Sequence, residues 1–103
     1  MRIIALRTLK AYWENEPNAE QPLKSWNAVV EKAQWSNHNE LKKQFGKASI
    51  INNKRVIFDI HGNKYRLIVD IEYLIKQIYI VWIGTHAEYD KINVKDVKYK
   101  RLD

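Results

Sequence analysis

The feature that most constrains the fold is a change in the spacing of apolar residues near Gly46. After this residue apolar and polar side chains alternate, as they do in a strand with one buried face. A first alternating run covers 56–60, and a tight-turn signal at 62–63 separates it from a returning run over 65–71. A third apolar run follows at 78–83. The second half of the chain is therefore predicted to form a three-stranded antiparallel meander.

Before Gly46 the apolar residues recur at helical spacing instead. Leu6, Leu9 and Trp13 predict a first helix that stops at 15–17. Pro22 suits the first position of a second helix, because its missing N–H has no acceptor there. The apolar stripe of that helix consists of Leu23, Trp26, Val29, Val30 and Ala33.

Two shorter elements complete the prediction. Asn37, followed three residues later by Glu40, indicates the capped start of a short helix that ends near Phe45. Residues 2–5 form a possible first strand, which would join the same sheet. The expected fold class is α+β, with N-terminal helices packed on a three- to four-stranded antiparallel sheet and a C-terminal helix, in one domain over residues 1–103.

Composition narrows the classes of function. The 103 residues include no cysteine, which excludes disulfides, thiolate nucleophiles and cysteine-ligated metals. No apolar run approaches the roughly 18 residues of a membrane-spanning helix, and the N-terminus lacks a signal-peptide pattern. We expect a cytoplasmic protein without membrane contact, in which the four tryptophans and six tyrosines are mostly core or half-buried.

The charge balance favours an acidic partner. There are 18 basic and 12 acidic residues, a formal net charge of +6 and a pI near 9.6. Such a balance is typical of proteins that bind nucleic acid or an acidic protein. The chain near the C-terminus adds non-specific attraction for RNA through Lys91, Lys95, Lys98, Lys100 and Arg101.

The most chemically informative stretch is Gly84 to Asp90, directly after the third predicted strand. Thr85 and Glu88 have the spacing of a capping box, so a helix is predicted to begin here. His86, Tyr89 and Asp90 lie three and four residues apart, which places them on one helical face. A histidine and a tyrosine beside a helix start, in a basic protein, indicate chemistry on RNA.

Two motifs carry a family resemblance. The segments 59–69 (DIHGNKYRLIV) and 84–92 (GTHAEYDKI), with their spacing, resemble the HigB family of bacterial type II toxins, within the RelE/ParE-like group. The order of helices and strands is similar as well, so the resemblance covers essentially the whole chain. Family members often have a second glycine where this chain has His61, and the resemblance therefore gives His61 no role.

The resemblance implies a toxin of a type II toxin-antitoxin system. Such a toxin is an endoribonuclease, an mRNA interferase that cleaves translated mRNA on the ribosome and so inhibits translation and growth. It needs no metal and no cofactor. Its partner would be a HigA-like antitoxin with a helix-turn-helix domain, and the toxin would reach operator DNA only through that antitoxin.

The residues can be matched to that chemistry. Metal-free RNA cleavage uses the substrate's 2′-hydroxyl as nucleophile and needs a base, an acid and cations at the phosphate. His86 is the candidate acid or base. Tyr89 could hydrogen-bond the 2′-hydroxyl, stack on a base or share the proton transfer, and Asp90 could orient His86. Arg66 is the candidate phosphate clamp, because a guanidinium binds phosphate bidentately.

Further residues are predicted to contact RNA or to support the site. Lys64 is expected on the same strand face as Arg66, as a second cation. Lys54 and Arg55 could steer RNA, although a charged strand entry is the favoured explanation for both. The full set of candidates is His86, Arg66 and Tyr89 for catalysis, Lys64, Lys54, Arg55 and Asn63 for RNA contact, and Asp90, Thr85 and Glu88 as supports.

Alternatives without catalysis stay open. His86 also fits a surface histidine in a capping turn, and Arg66 a solvated strand arginine. The chain could be a non-catalytic RNA- or ribosome-binding protein, or an interaction module for an acidic protein. His38, His61 and His86 lack the paired spacing of metal ligands, so no metal site is predicted.

Overall fold

The fold is built on one five-stranded sheet. A computed structural model describes residues 1–98. The strands lie in the order β1-β5-β4-β3-β2. Their bounds are β1 Arg2–Ile4, β2 Ser49–Ile50, β3 Arg55–Ile60, β4 Tyr65–Glu72 and β5 Gln77–Thr85.

In the described part of the chain four α-helices accompany the sheet, namely α1 Leu6–Asn15, α2 Glu20–Lys32, α3 His38–Gln44 and α4 His86–Tyr89. The predicted cap of α3 is confirmed, because the Asn37 side chain accepts a hydrogen bond from the Glu40 N–H at 3.0 Å. The predicted start of α2 is displaced. A 3₁₀ turn, Pro17–Ala19, precedes it, and Pro22 occupies the third helical position, where its missing N–H still costs no intrahelical bond. None of the helices in residues 1–98 could cross a membrane.

The predicted hairpin of β3 and β4 is confirmed and sets the register of the sheet. Asp59 pairs with Arg66 and Arg55 with Asp70, in an antiparallel ladder. The four-residue turn 61–64 joins the strands, closed by a hydrogen bond of 3.2 Å from the Lys64 N–H to the His61 carbonyl. His61 and Gly62 both have left-handed backbone, with φ of 56° and 63°.

A bulge in the β4–β5 pairing changes which side chains share a face. The register shifts between Ile68 and Val69, so Ile68 pairs with Trp82 while Val69 pairs with Ile80. Strict alternation would have placed Trp82 in the core beside Ile80. The extra residue, Val81, instead turns Trp82 to the opposite face of the sheet.

The sheet differs from the prediction in two respects. It has five strands, and the additional strand is β2. The sequence did not predict β2 because a strand of two residues is too short to show alternation. It is also mixed, because β1 pairs in parallel with β5. The predicted strand at residues 2–5 does join the sheet, and α1 to α3 lie in the chain between the two parallel strands.

One face of the sheet, the core face, packs against the helices. Trp26 of α2 contacts Phe58 edge-on, with ring centroids 5.4 Å apart, and Phe45 contacts Phe58 at 5.0 Å. Trp26 and Trp35 are buried, and Trp13 and Trp82 are half-buried, as predicted. The core includes Leu9, Leu23, Val30 and Leu41 from the helices and Val56, Phe58, Ile60, Leu67, Val69, Ile71, Ile78 and Ile80 from the strands.

The other face, here called the ion-pair face, carries charged residues around a buried centre. Ile57 and Ile68 are buried there, between an Arg55–Asp70 pair and an Asp59–Arg66 pair. Arg55 is only 7% exposed and binds Asp70 through two hydrogen bonds of 2.8 Å. Its guanidinium also donates to the carbonyls of Val94, at 3.0 Å, and Val97. Arg55 therefore ties the segment after α4 to the sheet.

We predict that Arg55→Ala lowers the free energy of unfolding by about 3 kcal/mol, because Asp70 and two carbonyls then lose a buried partner. Urea unfolding followed by circular dichroism measures the change. Lys54→Ala is the matched control, since Lys54 pairs with Glu72 at the surface, where such pairs contribute little. Equal unfolding midpoints for both variants would contradict the structural role of Arg55.

Candidate active site

The start of α4 is fixed by its cap. Thr85 ends β5, and its hydroxyl accepts a hydrogen bond from the Glu88 N–H at 3.2 Å. The Glu88 carboxylate accepts one in return from the Thr85 N–H at 2.8 Å. The predicted capping box is thus confirmed. Thr85 and Glu88 place His86 on the first turn of the helix, at one end of the sheet.

His86 faces an acidic partner one helical turn away. Its Nδ1 lies 3.1 Å from an Asp90 carboxylate oxygen, and both side chains reach solvent. The carboxylate can hold the imidazole ring in one orientation and leave Nε2 directed outward. The His86 N–H donates to the Lys64 carbonyl at 3.0 Å. This bond joins the start of α4 to the turn between β3 and β4.

Arg66 is held by groups on the ion-pair face and in the adjacent turn. Its Nε lies 3.3 Å from Asp59, and its Nη2 donates to the Asn63 side-chain oxygen at 2.5 Å. Weaker contacts reach the Asn63 and Tyr65 carbonyls at 3.3 and 3.4 Å. The side chain is 12% exposed. The guanidinium is therefore fixed in position, with Asn63 covering one of its edges.

Tyr89 lies between the arginine and a tryptophan. The Arg66 guanidinium carbon is 5.8 Å from the centre of the Tyr89 ring, and the Trp82 ring is 6.3 Å away on a tilted approach. Burial raises the pKa of Tyr89 above its usual value of 10.0. Arg66 opposes that shift, whereas Asp90 and Asp59 add to it. Tyr89 is therefore a neutral phenol near pH 7, suited to donating a hydrogen bond and unsuited to act as a base.

The structure thus gathers His86, Asp90, Tyr89, Arg66 and Asn63 at one end of the sheet. It adds two residues that had not been singled out. Asp59 pairs with Arg66 across the hairpin, a contact that follows once the 61–64 turn fixes the register. Trp82 contacts Tyr89 only because the bulge turns it to this face, and the sequence gives no signal of that bulge.

Three predicted RNA-contact residues lie elsewhere or have other partners. Arg55 is buried on the ion-pair face, where it stabilises the fold and does not reach RNA. The Lys54 ammonium lies 2.7 Å from Glu72, which raises the pKa of that lysine. Lys64 does not share the face of Arg66. It lies in the turn before β4, where the two-residue period does not apply, and its ammonium is 5.6 Å from the Tyr65 ring.

The remaining basic and histidine residues are dispersed. Lys91, Lys95 and Lys98 are exposed, and Lys100 and Arg101 lie outside the described residues. The His38 ring bonds the Tyr73 hydroxyl at 2.5 Å and the Asn52 carbonyl at 2.9 Å, far along the chain from His86. Within residues 1–98 no three histidine, aspartate or glutamate side chains group as metal ligands.

The order of elements, with helices before a β3–β4–β5 meander and a short helix after it, is that of the RelE-like class of α+β proteins. The sequence profile of the HigB toxin family, described as the RelE-like toxic component of a toxin-antitoxin system, matches residues 19–92. The chain therefore belongs to the HigB toxin family. It is also 29% identical, over 94 residues, to a protein of Escherichia coli O6:H1 (strain CFT073) named mRNA interferase HigB. That match covers 89% of this chain and 91% of the relative.

We predict that Gly84→Ala disturbs the site through Trp82. A Cβ atom at Gly84 would lie 2.4 Å from the Trp82 ring, and the resulting overpacking costs about 1–3 kcal/mol of unfolding free energy. Thermal unfolding measures that loss. Gly46→Ala is the control, because the only contact of its added Cβ would be the Lys42 carbonyl at 4.0 Å. The double variant Gly84→Ala with Trp82→Leu should recover stability, and failure to recover would contradict the Trp82 contact.

A second prediction concerns the ionisation of Tyr89. The difference in tyrosinate absorbance between the wild type and Tyr89→Phe should show a step above pH 10, because burial disfavours the phenolate. Asp59→Asn should move the step to lower pH, since it removes a negative charge that opposes ionisation. Asp96→Asn, which is not among the charges acting on Tyr89, should leave the step in place. A step below pH 10 in the wild type would contradict this account.

Proposed function

We propose that this protein is the toxin of a type II toxin-antitoxin system and an endoribonuclease that cleaves mRNA. Membership of the HigB toxin family supports the toxin role, and the relative named mRNA interferase supports the activity. The observation that carries the proposal is the convergence of the His86–Asp90 pair and the stacked Arg66–Tyr89 pair at one end of the sheet.

The reaction needs a base, an acid and a cation, and this site has residues suited to each role. The 2′-oxygen of one nucleotide attacks the adjacent phosphorus and loses its proton to a base. The bond from phosphorus to the 5′-oxygen then breaks, and an acid protonates that oxygen, leaving a 2′,3′-cyclic phosphate and a 5′-hydroxyl. The crowded phosphate carries extra negative charge at the transition state, which a fixed cation stabilises.

We assign these roles from the geometry. His86 takes the proton of the 2′-hydroxyl through Nε2, while Asp90 orients the ring and stabilises the imidazolium. Tyr89, a neutral phenol, donates to the leaving 5′-oxygen. Arg66 binds the phosphate with its outer N–H groups, and the phosphate displaces the Asn63 amide, which is then placed to contact the RNA. Asp59 keeps the guanidinium in position during that exchange.

Membership of the HigB toxin family supports a proposal about the partners. We propose a HigA-like helix-turn-helix antitoxin as the neutralising partner and operator DNA as a target reached only through it. We also propose that this single-domain toxin acts in the cytoplasm on mRNA bound to the ribosome. The net charge of +6 favours association with RNA, including mRNA bound to the ribosome. The reaction is proposed to need no metal, since the nucleophile is the substrate's own hydroxyl.

We expect induced expression of the wild type in bacteria to arrest growth and to create new 5′ ends inside translated messages. His86→Ala and Arg66→Ala should each lower cleavage by about 100- to 1,000-fold, the usual loss on removing an acid–base group or a transition-state cation. Growth curves and mapping of mRNA 5′ ends measure both effects.

Lys43→Ala is the control for charge alone, because Lys43 is exposed near the end of α3. It should retain full toxicity at the same protein level. Intact messages and normal growth with the wild type would contradict the nuclease proposal and favour a non-catalytic RNA- or ribosome-binding protein. Cleavage that survives His86→Ala would contradict the role of His86 while leaving the toxin proposal intact.

A further inference from the structure

A groove, here called the turn groove, lies between the chain entering α2 and the turn 61–64. Its lining includes Pro17, Asn18, Gln21, Pro22, His61 and Lys64. Its volume is about 720 Å³, within the range of about 300–1,000 Å³ usual for sites that hold a small ligand. Its side chains play no part in the proposed cleavage step.

The turn groove adjoins the candidate active site through the backbone of one residue. Lys64 lines the groove with its side chain, while its carbonyl accepts the hydrogen bond of 3.0 Å from the His86 N–H. On the other side of the same turn, Asn63 covers Arg66. The groove and Arg66 therefore lie on two sides of one four-residue turn, and an RNA strand that contacts both must pass around this turn.

The groove has the chemistry that reads an unpaired base. Asn18 and Gln21 carry carboxamides that donate and accept hydrogen bonds at base edges, and both are exposed. The His61 ring and the proline rings offer flat surfaces on which a base can lie. Lys64 contributes one positive charge for the backbone. An acidic peptide would need several cations, whereas the lining holds a single lysine and no arginine.

The backbone at His61 gives an independent reason to look here. Its φ of 56° lies in the left-handed region, which glycine adopts without steric cost and other residues adopt at a cost. A strained residue beside a candidate site points to a function for its side chain. At this position the side chain is an exposed imidazole that lines the groove.

We propose that the turn groove is a base-binding subsite for the RNA nucleotide next to the cleaved phosphate. Asn18 and Gln21 read the edge of the base, and His61 stacks on it. This proposal rests on the proposed RNA cleavage. It adds the residues that determine which base is accepted beside the cut.

The first test measures binding without cleavage. Uniformly ¹⁵N-labelled His86→Ala protein is titrated with a short unstructured RNA, and the side-chain amide signals of Asn18 and Gln21 are followed by NMR. We expect these signals to shift, while that of Gln44 of α3, whose side-chain oxygen accepts a hydrogen bond from Trp35, stays in place. An abasic strand of the same length should leave the Asn18 and Gln21 signals unmoved.

The second test uses variants with intact folds. His61→Gly relieves the left-handed strain, so it should fold at least as stably as the wild type yet bind the RNA about tenfold more weakly. The double variant Asn18→Ala with Gln21→Ala should change the ratio of cleavage among substrates that differ in the flanking base by about tenfold. Gln34→Ala, on an exposed residue after α2, should leave that ratio unchanged.

The outcomes separate this proposal from the proposed function. Equal amide shifts with the abasic strand would overturn the base-binding subsite. Unchanged selectivity in the Asn18 and Gln21 double variant would overturn it as well. Failure of the wild type to cleave RNA would instead overturn the proposed nuclease, since the NMR titration does not depend on cleavage.

Discussion

The register of the β3–β4 hairpin is the constraint on which the other features of the structure depend. Two cross-strand ion pairs mark it, Arg55 with Asp70 at one end and Asp59 with Arg66 at the other. A slip of one residue would exchange the two faces, expose the core side chains and bury these charges. The same register fixes the 61–64 turn. The start of α4 is bound to this turn by the hydrogen bond from the His86 N–H to the Lys64 carbonyl. The fold and the site therefore share one set of contacts.

The sequence predicted most of the fold because its local signals agree with one another. The caps at Asn37 and Thr85, the helical stripes and the alternation after Gly46 each specify a local structure that the tertiary contacts then retain. Three features were not predictable in this way. The two-residue strand β2 is too short to show a period, the parallel pairing of β1 with β5 is a distant contact, and the β5 bulge leaves no compositional mark.

In the candidate site, too, some features could be predicted from local sequence and others depend on distant contacts. The spacing of His86, Tyr89 and Asp90 follows from helical geometry, and the structure brings Tyr89 to Arg66 and Asp90 to His86. The basic residues could not be sorted from sequence, because their roles depend on the acid that lies opposite each of them. Arg55 and Lys54 meet Asp70 and Glu72 across the sheet, and Lys64 turns toward Tyr65 because it precedes the strand. Local patterns locate a charge, and only the register identifies its partner.

The parallel pairing of β1 with β5 has a consequence for the order in which the molecule folds. Arg2 pairs with Gln77, so most of the chain lies between two neighbouring strands. Contacts between residues so distant in sequence carry a large loop-closure cost and slow folding. During synthesis, β1 is made before β5 and has no strand partner until β5 follows it. His86 comes directly after β5, so the sheet edge and the candidate catalytic end are completed together, after the β3–β4 hairpin.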